Sequence, residues 1–86
     1  MLNRVEWTPH AARQLRKLPR FAQIAIRDAA RDKLPYFPEC SGVKMLVDHE
    51  RGYRLRVGSF RVLFDFDGAI RLIRIEMVGK RDESTY

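Results

Sequence analysis

At 86 residues the chain has room for one small core, and it is read as a single domain over residues 1–86. A hydrophobic fraction of 45% is ordinary for a globular protein, no apolar run approaches membrane-span length, and one Cys with two His supplies neither an internal disulfide nor a zinc set. Seventeen basic against eleven acidic residues give a net charge of +6, which favours nucleic acid or an acidic protein as the counter-surface.

The N-terminus mixes charge with apolar residues, so it is read as a first strand over residues 2–7 and not as a secretory leader. A reducing cytoplasm is the expected compartment. Thr8-Pro9 is a strong helix start, because a threonine cap precedes a proline whose missing N–H has no intrahelical partner to lose. Ala11, Leu15 and Leu18 then recur at i, i+4 and i+7 as a core stripe, with Arg13, Arg16 and Lys17 on the other side, until Pro19. A second helix is expected from residues 19 or 20 to 33. Phe21, Ile24, Ala25 and Ala29 are assigned to its core face, and Arg20, Gln23, Arg27 and Arg31 to its outer face.

Pro35-Tyr36-Phe37-Pro38 ends helical structure and opens a loop through Gly42. A short strand or extended lead-in over 43–46 and a polar turn over 48–52 follow. Strands are expected over 53–57 and 60–66, joined by Gly58-Ser59 as a type II′ turn, and the Asp67-Gly68 dipeptide introduces a last strand over 69–78. The fold class is therefore α+β, in the order β-α-α-β-β-β, with two helices on one face of a mostly antiparallel sheet.

The open face of that sheet holds the most informative residues. Strand side chains alternate, so Arg54 and Arg56 share a face, and the hairpin brings Arg61 back beside them. Like charges on neighbouring strands repel, and a planar five-donor guanidinium suits phosphate oxygens. The phenylalanines 60, 64 and 66 fall on the opposite face.

Three stretches carry a resemblance to a known family: Glu6-Trp7-Thr8-Pro9-His10-Ala11, the hairpin from Tyr53 through Phe64, and Val78-Gly79-Lys80-Arg81 leading to Tyr86. In order and spacing they resemble the RelE/ParE superfamily of bacterial toxins, with the arginine hairpin and basic C-terminal segment closer to RelE. The resemblance implies a toxin of a toxin–antitoxin pair. It would bind a cognate antitoxin, enter the ribosome and cut mRNA there as an endoribonuclease without metal or cofactor, through attack of the ribose 2′-OH on the adjacent phosphate. It also implies that Arg61 stabilises the charged phosphate, that Arg81 lies near the leaving group, and that Tyr86 stacks on or orients a nucleotide. Arg54, Arg56 and Lys80 would contact substrate.

One position departs from the family pattern. Arg54 and Arg56 stand where RelE has lysines, one of them the base, and a guanidinium, which keeps its proton at neutral pH, is a poor proton acceptor. His49 and Glu50, in the preceding turn, are the substitute base candidates. Arg13, Arg16, Lys17, Arg20, Arg27 and Arg31 are either a solvated helix face or a contact for ribosomal RNA or an antitoxin. Asp65, Asp67 and Glu76 are assigned no metal, and Cys40 no role. Two other functions stay open: a ParE-like inhibitor of DNA gyrase that cuts nothing, and a non-catalytic RNA-binding module.

Overall fold

The computed structural model describes residues 2–46 and 52–80. Its elements are β1 (Arg4–Trp7), α1 (Pro9–Arg16), α2 (Arg20–Lys33), β2 (Val43–Met45), β3 (Tyr53–Val57), β4 (Phe60–Asp67) and β5 (Leu72–Lys80), with a 3-10 turn over Leu34–Tyr36. The strands form one sheet in the order β1-β5-β4-β3-β2, antiparallel except where β1 pairs with β5. Two helices cover one face, as the α+β order predicts.

Local chemistry sets most of these boundaries. The Thr8 hydroxyl accepts the Ala11 N–H at 3.1 Å and Pro9 follows at the first helical position, so α1 begins where the cap places it. Gly58 takes a positive φ of 57° and Val57 pairs directly with Phe60, which makes Gly58-Ser59 the two-residue turn with glycine first that the sequence predicts. Under the helices lie Leu55, Val62, Phe64, Ile73 and Ile75, all fully buried, with Ala11, Leu15, Ala22, Ile26, Ala30 and Leu34 above them. The 3-10 turn delivers Phe37 edge-on to Tyr53, Phe64 and Phe66, with ring centroids 4.8 to 5.4 Å away. Asn3, itself buried, fastens that turn to the sheet by donating to the carbonyls of Leu34 and Phe37 at 3.2 and 2.8 Å.

Three expectations require correction. The core face of α2 is Ala22, Ile26 and Ala30 with Ala29 at its margin, whereas Phe21 and Ile24 are 68% and 47% exposed. The helix has two apolar stripes of the same period, and periodicity alone does not say which one meets the sheet. Asp67-Gly68 does not make a two-residue hairpin. Asp67 pairs with Leu72 across four intervening residues, its carboxylate accepts the Ala69 N–H at 3.0 Å, and the positive φ falls on Arg71. The last strand accordingly starts at Leu72, not Ala69, and runs to Lys80.

A bulge in β5 decides what faces the open side. Leu63 pairs with Met77 and Phe64 with Ile75, so Glu76 has no residue opposite it. Ile75 and Val78, three positions apart, thereby both face the helices, and Gly79 passes to the open side opposite Arg61.

Candidate nucleic-acid interface

The register of β2 through β5 assembles the basic patch. Arg56 lies directly opposite Arg61, and Arg61 directly opposite Gly79. One row along, Lys44 lies opposite Arg54, which faces Leu63. Two adjacent rows on the open face therefore carry four cations, Lys44, Arg54, Arg56 and Arg61, with no acidic residue among their register partners. Directly opposed like charges weaken a sheet, so this arrangement is one that a polyanion relieves.

Arg61 has a fixed pose. Its Nη1 donates to the Lys80 carbonyl at 2.9 Å, which draws the guanidinium across β5 over Gly79. A Cβ at position 79 would stand 3.6 Å from that nitrogen, so a longer side chain there would compete for the space the guanidinium occupies. Gly79 thus lies within van der Waals reach of the guanidinium, and the Lys80 carbonyl aims it. Such pre-aimed donors stabilise charge developing on a phosphate without reorganising during the reaction.

The far end of the same face is balanced in charge. Asp65 pairs with Arg74, which pairs with Glu6, and Glu6 bridges Arg4 at 3.3 Å. The Asp65 carboxylate accepts the Gly52 N–H at 2.9 Å and so holds the start of β3. No set of three His, Cys, Asp or Glu side chains gathers as a metal site among the described residues.

Of the residues singled out from sequence, Arg54, Arg56 and Arg61 come together. Lys80 stands opposite Phe60, on the helix side, because the bulge at Glu76 reverses the parity of the end of β5; its carbonyl, not its ammonium group, meets Arg61. Arg81, Tyr86, His49 and Glu50 lie outside the described residues. Lys44 was not singled out from sequence, although the lysine at the centre of a short strand is a signal once that strand has a register. Gly79 is the other omission, and only the bulge places it opposite Arg61.

The helical arginines form a separate surface. Arg13, Arg16, Lys17, Arg20, Arg27 and Arg31 are all exposed. Arg16, Arg27 and Arg31 rim a groove of about 540 Å³ between the helices and β1, which reaches down to Trp7 and Asn3. Arg31 is already engaged, with Asp32 at 2.9 Å and Asp28 at 3.4 Å. The hydrogen bond to Asp32 raises the Arg31 pKa and lowers that of Asp32. Partial burial pushes the pKa of the Cys40 thiol up, and the nearby Lys33 partly opposes this.

No protein-family model and no curated protein matches this chain. Solved structures do. A chain of the RelBE2 toxin–antitoxin complex of Mycobacterium tuberculosis superposes with a TM-score of 0.82 at 28% identity, covering 94% of this chain and all of the other. A chain of the archaeal RelE–RelB complex from Pyrococcus horikoshii gives 0.77 at 26% identity, over 98% of this chain and all of the other. The isolated RelE toxin of E. coli shares the fold, with a TM-score of 0.75 at 15% identity over 96% of this chain and 88% of its own.

Proposed function

Since the chain belongs by structure to the RelE-like toxin superfamily, we propose that it is the toxin of a type II toxin–antitoxin pair and acts as a ribosome-dependent mRNA endoribonuclease in the cytoplasm. The observation that carries this reading is the Arg56–Arg61 pair, directly opposed on the open sheet face beside Arg54 and Lys44, with Arg61 aimed by the Lys80 carbonyl. A patch of this kind recognises phosphates in fixed geometry.

In the proposed reaction the ribose 2′-OH loses its proton and its oxygen attacks the adjacent phosphorus. The bond to the 5′-oxygen then breaks and that oxygen takes up a proton, leaving a 2′,3′-cyclic phosphate. Arg61 donates to the non-bridging oxygens as charge builds on them, and Arg54 and Arg56 hold the flanking phosphates. Arg81 neutralises the leaving oxygen, and Tyr86 stacks on a nucleotide. His49 or Glu50 takes the 2′-OH proton, a task for which permanently charged arginines are unsuited. The first test is expression of the chain alone. Growth arrest is expected, with new mRNA 5′ ends inside translated regions that disappear when the cognate antitoxin is co-expressed. DNA breaks and altered supercoiling with mRNA intact would instead indicate a gyrase poison.

A further inference from the structure

The groove between the helices and β1 lies on the helix side of the sheet, away from the arginine patch. Its volume of about 540 Å³ is that of a small-molecule site, for which roughly 300–1,000 Å³ is usual. The space exists because both helices line it with alanine, Ala12 and Ala30, beside an apolar lining of Val5, Trp7, Leu15 and Pro35. At the rim Arg31 already holds Asp28 and Asp32, whereas Arg16 and Arg27 are exposed and have no acidic partner among the described residues. Polar groups are left open here as well. Arg4 and Thr8 donate their backbone N–H groups toward β5, to the carbonyls of Arg71 at 2.9 Å and Ile75 at 3.0 Å, so the alternate residues Val5 and Trp7 turn theirs to the outer edge of the sheet, where no described residue takes them up. Asn3, only 5% exposed, lines the same groove; its Nδ2 is committed to two carbonyls, and its Oδ1 accepts from no described group.

We propose that this groove binds a free purine mononucleotide. Arg16 and Arg27 would meet its phosphate with their planar donor forks. The base would lie against Trp7 and Pro35, where a two-ring face covers more apolar surface than a one-ring face does. Its edge carries N–H donors beside ring-nitrogen acceptors, which match the open backbone groups of Val5 and Trp7 and the Asn3 amide oxygen. Each of these features removes a competing ligand. A lone anion uses the rim and leaves the apolar lining wet, whereas an uncharged aromatic compound covers the lining and leaves two cations unmet. A polynucleotide is drawn to the cations but has no need of an apolar recess behind them. A second copy of this chain would set Arg16 and Arg27 against themselves.

Trp7 is the single tryptophan of the chain, so its fluorescence reports on this groove. With the full chain, adenosine monophosphate should quench it saturably. Inorganic phosphate and adenosine, which are the two halves of that ligand, should each bind at least tenfold more weakly. So should the monophosphate dimethylated on its exocyclic amine, which has lost the N–H donors of the base. The double variant Arg16→Ala/Arg27→Ala should fold, since both side chains are exposed, and should weaken the monophosphate at least tenfold; circular dichroism and thermal unfolding check the fold. Should it fail to fold, the ligand series on the parent chain decides by itself. Absence of saturable quenching overturns the proposal, as does equal affinity for phosphate alone, for the dimethylated compound or in the folded double variant. A short RNA without a terminal phosphate that displaces the monophosphate at equal affinity also overturns it and makes the groove an RNA surface. None of these measurements involves translation, so the site and the toxin reading stand or fall separately.

Discussion

Arg61→Ala is expected to lower the proposed mRNA cleavage roughly 10²–10³-fold, the loss typical when a pre-aimed donor to a developing oxyanion is removed. The side chain is only half-buried and donates to the Lys80 carbonyl from an exposed position, so thermal unfolding of the variant should stay close to that of the parent chain. Single-turnover cleavage of a programmed ribosome measures the rate, and calorimetry measures the fold. Cleavage within a few-fold of the parent chain would remove Arg61 from the chemistry, while an unfolded variant would make it a structural residue. Arg61→Lys should recover little, because a point charge on a flexible stem cannot both reach Lys80 and present a planar face to the phosphate.

Phe64→Ala acts through the fold instead. Its ring is fully buried, stacks on Tyr53 at 5.5 Å and receives the edge of Phe37 at 5.4 Å, so truncation opens a cavity beneath the 3-10 turn and costs about 3–5 kcal/mol. A domain of this size holds roughly 4–13 kcal/mol in total, so the variant should be strongly destabilised or unfolded at 37 °C. Urea unfolding at a fixed temperature gives the difference. A loss below about 1.5 kcal/mol would mean that the aromatic cluster repacks around the gap.

Sequence exposed the parts of this fold that rest on local chemistry. The threonine–proline start of α1 and the glycine-first turn of the hairpin follow from the conformations those residues can adopt, and the turn alone places Arg56 and Arg61 face to face. Choices that depend on a third element were not legible. Two stripes of α2 have helical period, and the one that is buried carries mostly alanine, because small side chains let the helix approach the sheet closely; the bulkier Phe21 and Ile24 looked like the better core. The end of β5 was hidden for a related reason. Strict alternation from Ile73 would put Lys80 on the arginine side, and the bulge at Glu76 reverses it. A bulge arises from the pairing of two strands and leaves no mark in either alone.

The pairing of β1 with β5 also determines when the chemistry can exist. Arg4 must find Leu72, so the sheet closes across most of the chain, whereas β3 and β4 are joined by a tight turn and form early. The arginines of that hairpin are thus in place first, but without an aim, since Gly79 and the Lys80 carbonyl arrive only with the last strand. During synthesis the nascent chain would therefore have its hairpin cations before the pose of Arg61 is set. If the chain acts as proposed, it is expected to be inactive until β5 emerges, and a truncation that removes β5 should yield an inert chain even where the hairpin survives.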